Sequence, residues 1–303
     1  MLKRYELHNH TTQSDASITC RELVELMVRD RVDVFALTDH NTISGHRIVR
    51  KLLEENNWPI QCIYGMEYTT YYGHILCLNL NRYVPWDSID RHRPELLFEA
   101  CQAAGALTGI AHPFSYGDPF ARGCRFDMTV RDFSHVDFIE VFNNPEPLHE
   151  VNERGLNWWE ELTLRGERLA VTSGMDLHGA WDMSMNFATY AEGVDGGDPA
   201  QELTQAIRSQ RTWISKGMVL RWTAEDGGWR FSLEDVHKPG YVPSDRYRMT
   251  LTGTGGVCEY DISGGELFLP AEALRASTVW IPKLYAGDVG IERLVCVAPV
   301  LRL

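Results

Sequence analysis

The 303-residue sequence is 44% apolar and 23% charged, long enough to bury a large core and ordinary for a globular chain. Its formal net charge of −13 argues against a surface for long nucleic acids, while a small anionic substrate stays open wherever a metal supplies local positive charge. The seven cysteines are widely spaced with no Cys-x-x-Cys pair, which suggests neither a disulfide framework nor a zinc ribbon and predicts reduced thiols in a cytoplasmic protein, and no apolar run reaches membrane-spanning length.

Met1 to Tyr5 lead straight into a strand pattern, with no signal-peptide apolar region expected. Tyr5-Glu6-Leu7-His8 alternates apolar and polar residues, the mark of a short strand. His8 and His10 sit two apart, so on an extended chain both imidazoles face one side. Asp15 follows after a polar turn. Thr19 and Glu22 form a capping-box pair ahead of Leu23, Leu26 and Met27 at helical spacing. The apolar run 33–38 reads as a buried strand and ends in Asp39-His40-Asn41-Thr42. Ser44 to Glu55 is amphipathic and helical. Ile60 to Tyr64 is a third strand delivering Gly65-Met66-Glu67. Tyr68 to Tyr72 is an aromatic, Thr-rich stretch, and Gly73 to Leu78 a fourth strand that opens on His74.

Pro94 to Ala104 is helical in character, with Gly105 ending it. Ala106 to Ala111 is an apolar strand leading to His112-Pro113, and 115–125 is a loop. Phe138 to Phe142 is a strand followed by Asn143, His149 to Arg165 a helix, and Arg168 to Thr172 a strand ending in the run Ser173 to Gly179. Pro199 to Ser209 is a helix and Thr212 to Ser215 a strand. Alternating strands and helices predict an α/β fold with a parallel sheet or barrel, whose chemistry gathers at the C-terminal strand ends. His74 is the exception, at a strand start, and needs a reversed strand or a loop to reach the others. Beyond Lys216 helical periodicity fades into short alternating runs separated by Gly-rich turns. That predicts residues 1–216 as a hydrolase domain and 217–303 as a small β-sandwich-like accessory domain. A chain ending near Lys216 is expected to keep its metal.

The strand-end polar residues are His8, His10, Asp15, His40, Glu67, His74, His112, Asp176 and His178. Six histidines, three carboxylates and no thiolate suit zinc, manganese or iron. Nine donors exceed one tetrahedral ion, so two or three ions are expected, with a carboxylate such as Glu67 between them. Each residue has a plainer reading when taken singly: His40 as a helix-capping or core histidine, His112 as a loop anchor. His46, His92, His135, His149 and His237 read as ordinary, in polar or surface-like settings. Asp39 reads as a ligand or as the partner that orients His40. Glu140 and Asn143 either line the site or simply end a strand. Ser14 and Ser173 lie near the cluster, but a metal-activated hydroxide needs neither as nucleophile.

Together, His8 to Asp15, Leu37 to Thr42, the Glu67 and His74 stretches, Ala111-His112-Pro113 and Ser173 to Gly179 resemble the PHP (polymerase and histidinol phosphatase) family over about the first 180 residues. The resemblance implies a distorted seven-stranded β/α barrel, a multinuclear metal site and phosphoesterase activity through metal-bound hydroxide. It also implies a ligand set. His8, His10, Glu67 and Asp176 would hold one ion; Glu67, His74 and His112 a second; Asp15, His40 and His178 a third, the last three residues being the catalytic candidates. Ala16 departs from the glycine usual after the aspartate, with only a local effect on the turn expected. Tyr68 to His74 and Arg211 to Gly217 are similar to a carbaryl-hydrolase-like branch, which adds carbamate cleavage as an alternative. A phosphodiesterase or exonuclease acting on short oligonucleotides is a further alternative, and a non-catalytic module with a structural metal a rival from another class. The expected partner is a small anionic substrate, a phosphate ester, with no long nucleic acid and no membrane. Arg122, Arg125 and Lys216 are candidate phosphate-contacting cations, with an ordinary surface role the stronger reading of each.

Overall fold

The computed structural model describes residues 1–87, 89–116, 122–144, 147–148 and 150–303, with the backbone alone of Arg122. The first part of the chain runs β1 (Leu2–Glu6), α1 (Cys20–Arg29), β2 (Val34–Leu37), α2 (Ser44–Glu55), β3 (Gln61–Tyr64), β4 (Met66–Thr70), β5 (Gly73–Leu78), α3 (Glu95–Ala103) and β6 (Leu107–Ile110). Next come β7 (Phe138–Phe142), α4 (Glu150–Leu164), β8 (Ala170–Ser173), β9 (Ala188–Glu192), α5 (Pro199–Arg208) and β10 (Thr212–Ser215). Eight strands complete the chain: β11 (Met218–Glu225), β12 (Gly228–Asp235), β13 (Tyr247–Gly253), β14 (Gly256–Asp261), β15 (Glu266–Pro270), β16 (Val279–Ala286), β17 (Leu294–Val297) and β18 (Leu301–Arg302).

Local chemistry sets these boundaries. Thr19 caps α1 by accepting from Glu22 N, and the Glu22 carboxylate returns to the Thr19 N–H, so the capping box is formed. α1 buries Leu23, Val24, Leu26 and Met27 as one face. Asp198 caps α5 from the position before Pro199, whose missing N–H costs nothing in a first turn.

The architecture is α/β with mixed sheets, and among the described residues the strands do not close into a barrel by hydrogen bonding. Strands β1, β2 and β3 are parallel; β9 is added antiparallel to β1, and β10 antiparallel to β9. A separate five-stranded sheet runs β4-β5-β6-β7-β8. The expected α/β fold is present, and in place of one closed seven-stranded sheet the described residues form two arcs around a common interior. At one seam the chain passes from β3 to β4 through Gly65, whose N–H reaches Leu37 O at 2.9 Å. The other seam is made by side-chain hydroxyls: Thr189 Oγ1 donates to Ser173 O, Ser173 Oγ to Phe187 O and Thr212 Oγ1 to Val171 O. Hydroxyl bonds there leave β8 and β9 without a backbone ladder. Tyr5, Leu7, Val34, Ala36, Ile63, Leu76, Leu107 and Phe138 fill the interior, and α5 adds Leu203, Ala206 and Ile207 to the same cluster.

Among the first ten strands, two depart from the sequence expectation. Met66 to Thr70 is a strand, and it pairs antiparallel with β5. β9 was not anticipated at all. Past residue 216 the main sheet continues without interruption, β10 pairing with β17 and onward through β16, β13 and β14. β11, β12 and β15 form a second layer over it. The core between the layers takes in Ala188, Tyr190 and Trp213 from the first part of the chain. Among the described residues, no helix is long and apolar enough to cross a membrane.

Candidate metal centre

β1 ends at Glu6, and the extended chain beyond it carries His8 and His10. Asn9 bridges to Leu177, and His10 N donates to Leu177 O at 2.9 Å, so the loop after β8 is stitched to the end of β1. That places Asp176 and His178 beside the two histidines. His40 follows β2 and forms a bridge with Glu67 on β4. The antiparallel turn from β4 to β5 sets His74 opposite Thr69. β6 then runs antiparallel to β5, so His112 at its end meets His74 at the β5 start. This is the reversed strand that His74 required.

All nine expected donors converge. They form three overlapping groups, His10–Asp15–His40–His178, His8–His10–Glu67–Asp176 and Glu67–His74–His112; within each, one donor atom per residue lies within 4.8 Å of the others. Glu67, fully buried, is the hub. Its Oε1 lies 2.8 Å from His74 Nδ1 and 3.2 Å from His112 Nε2. Its Oε2 lies 2.8 Å from His40 Nδ1, 3.2 Å from His8 Nε2 and 3.3 Å from His10 Nε2. Asp176 Oδ1 is 2.9 Å from His10 Nε2. The first group opens to solvent, the Asp15 side chain being 59% exposed, whereas the other two groups are buried apart from the partly covered Asp176.

Outer contacts orient most of the rings. His8 Nδ1 faces Glu140 at 3.0 Å, His112 Nδ1 faces Cys124 O at 3.1 Å and His178 Nδ1 faces Asp176 O at 2.7 Å. His40 Nδ1 also meets Thr69 Oγ1. Asp39 neither ligates nor orients His40: it accepts from Thr11 N, Thr11 Oγ1 and Ser14 Oγ, and so shapes the turn that presents Asp15. Ala16 occupies that turn without positive φ and is buried. His112 and Asp176 do take positive φ, 29° and 49°, and strain at two donor residues fits a site that dictates their placement.

The donor set fits divalent ions. His8 Nε2, His10 Nε2, Glu67 Oε2 and Asp176 Oδ1 are buried and crowd together, 2.9–3.4 Å apart across the imidazole–carboxylate pairs, yet none of them makes a well-oriented hydrogen bond. Each such orphan costs about 1–3 kcal/mol, and ions at the three groups would engage them. Electrostatics agree. Burial works against charge on His8, but Glu140, Glu67 and Asp176 outweigh it and hold its pKa well above normal. The same contest, decided by Asp176 and Glu67, puts His10 at about 9, and Glu67 with Asp176 puts His112 at about 8. Burial opposes the Glu67 and Asp176 charges too, yet the surrounding histidines hold both carboxyls well below their usual range. Without ions the cluster therefore stores protons in the places where a metal needs bare nitrogen. We predict at least two ions per chain by elemental analysis of protein purified without chelator. At pH 7 their uptake by ion-free protein should release protons, seen as a buffer-dependent calorimetric heat, and should weaken as pH falls further below about 8–9. One ion or none, or uptake without proton release, would count against the site.

The remaining sequence candidates separate clearly. His46 is buried, not surface-like, and its Nε2 reaches Gly65 O at 2.8 Å beneath the Glu67 strand. His92 and His237 are exposed and His135 half-buried, while His149 lies outside the described residues. Ser173 serves the β8–β9 seam. Arg125 is exposed and Lys216 is half-buried, its Nζ 5.3 Å from the Phe187 ring; the Arg122 side chain lies outside the described residues. Glu140 was only loosely flagged by the sequence.

A model of the PHP domain matches residues 6–117. An uncharacterized protein of Methanocaldococcus jannaschii is 30% identical over 166 residues, covering 50% of this chain and 88% of that protein. The 5'-3' exoribonuclease Rnm of Escherichia coli is 31% identical over 134 residues, but the chain spans only 45% of its length. Among solved structures, a two-domain protein from Bacteroides vulgatus containing a predicted PHP-like metal-dependent phosphoesterase is similar in fold. Its TM-score is 0.56 at 14% identity, with 99% of this chain and 95% of that one covered.

Proposed function

The chain belongs to the PHP domain family, and from that premise we propose that it is a metal-dependent phosphoesterase hydrolysing a small soluble phosphate ester. The observation that carries the reading is the convergence of nine nitrogen and oxygen donors, several of them buried without a well-oriented hydrogen bond, around Glu67. Divalent ions in such a site lower the pKa of water and offset negative charge growing on phosphoryl oxygens. The chain's own residues do the rest. Glu67, His8, His10, His74, His112 and Asp176 fix the geometry from the buried side. Asp15, His40 and His178 stand at the solvent side, with His178 Nε2 3.2 Å from Asp15 Oδ1. The substrate enters there, and Asp15 and His178 are the groups proposed to meet it and to hold the transferred proton.

The net charge of −13 disfavours long polyanions in this site and leaves small ones. Manganese, zinc and iron are the metals proposed for the N/O donor set, and with seven free cysteines the cytoplasm is the proposed compartment. A second reading, a phosphodiesterase on short oligonucleotides, is favoured by likeness to the exoribonuclease over its matched part. The carbamate alternative leans on the tyrosines before His74, of which Tyr71 is exposed and edge-on to Tyr72 at 5.2 Å. We expect inorganic phosphate to inhibit competitively and a phosphoester to exceed every aryl carbamate in kcat/KM. A panel of phosphomonoesters, 5'-phosphorylated dinucleotides and aryl carbamates, assayed with manganese, zinc or iron, separates the three. Carbamate turnover with no phosphoester turnover would overturn the proposal.

A further inference from the structure

Among the described histidines of the centre, His8 alone has a carboxylate outside the three donor groups as its outer partner. The outer nitrogen of His112 meets a backbone carbonyl, as does that of His178, and His40 Nδ1 has a hydroxyl partner beside the shared Glu67. His8 Nδ1 instead lies 3.2 and 3.0 Å from the two oxygens of Glu140, on β7. Glu140 is completely buried. Its other hydrogen bond comes from Asn143 Nδ2 at 2.9 Å, and no lysine or arginine among the described residues pairs with it. A buried carboxylate in that position has no structural counter-charge except through His8.

We propose that Glu140 is a positioning residue for the ion held by His8, and that it makes this the tightest-held ion of the centre. The inference rests on the metal reading above. Charge assistance makes the His8 Nδ1–H···carboxylate bond roughly twice as strong as a neutral one. It fixes the proton on Nδ1, aims Nε2 at the Glu67–Asp176 side and makes His8 a more basic donor. The backbone has been shaped for this pair. A Cβ on Gly174 would stand 2.5 Å from both Glu140 Oε2 and His8 Cβ, so only glycine lets the two side chains approach. The carbonyl partners of His112 and His178 and the hydroxyl partner of His40 orient those rings without adding a further charge, which leaves the solvent-side group of Asp15, His40 and His178 as the exchangeable one.

The test titrates ion-free full-length protein with cobalt(II) against a chromophoric chelator, following the cobalt absorption bands, for wild type, Glu140→Gln, Gly174→Ala and the exposed control His237→Ala. Glu140→Gln keeps the size and an acceptor oxygen but removes the charge. The expected result is a tightest ion weakened roughly 10–100-fold with a shifted band in Glu140→Gln, a similar loss in Gly174→Ala, the weaker ions unchanged and the control like wild type. The ion-free melting temperature of Glu140→Gln should stay within a few degrees of wild type. Wild-type affinities and bands in both variants would overturn the proposal, as would equal weakening of every ion. Wild-type protein that takes up no cobalt would instead sink the metal reading itself.

Discussion

Replacing Glu67 by alanine is expected to remove turnover and strip the centre of at least one ion, a larger loss than the roughly 10–100-fold that follows deletion of an outer partner. Five imidazoles face this one carboxylate, with four of the five nitrogens within 3.2 Å of its oxygens and the fifth at 3.3 Å. It belongs to two of the three donor groups, so its loss breaks both together. Without it, ions brought among neutral imidazoles repel one another across a buried space with less negative charge between them. Glu67→Gln tests charge apart from shape, since it preserves the side-chain volume. His237→Ala is the matched control, its side chain being 86% exposed and part of none of the donor groups. Turnover and metal content in Glu67→Ala at half the wild-type level or better would refute the hub role. His46→Ala is not a neutral control, because its buried ring supports the carbonyl of Gly65 just ahead of the Glu67 strand.

The donors were legible in the sequence because polar residues at apolar strand ends have few other reasons to be there. His8 and His10 needed only the two-residue repeat of an extended chain. The capping box of α1 was equally readable, being a contact between residues three apart. What was missed depends on contacts far apart in the chain. Tyr68-Thr69-Thr70 shows no alternation that marks a strand, and becomes one through pairing with β5. β9 is a four-residue buried run ending in exposed Glu192, held between β1 and β10 rather than by local propensity. Asp39 beside His40 suggested an orienting pair, yet its carboxylate turns to Thr11 and Ser14 across 25 to 28 residues of chain. The Glu140–His8 contact spans 132 residues, and no spacing rule reaches that far.

Ending the chain at Lys216 is expected to abolish cooperative folding, and the metal site with it, against the expectation that texture alone suggested. A change from helical to alternating pattern marks a change of architecture, not an end to the sheet. β10 is the last strand of such a fragment, and it would lose its pairing with β17 at Ile214 and Ser215. Trp213 is 1% exposed and Tyr190 2%, and both lie in the core formed with Val219, Leu251, Leu284 and Cys296. Trp213 Nε1 donates to Leu220 O, and Ser215 Oγ to Met218 O, so their polar partners go too. On the other face Ile214 packs with Val279, Ile281, Leu294 and Val297. Exposing large buried apolar side chains costs about 1.5–3 kcal/mol each, against a total stability of about 5–15 kcal/mol for a typical fold. β9, stripped on the Trp213 side, is the strand beside β1, and β1 leads directly to His8 and His10. Far-UV circular dichroism, thermal melting and metal analysis of a 1–216 fragment would decide the matter. A fragment that melts cooperatively and keeps its ions would show that the C-terminal strands are dispensable to the centre.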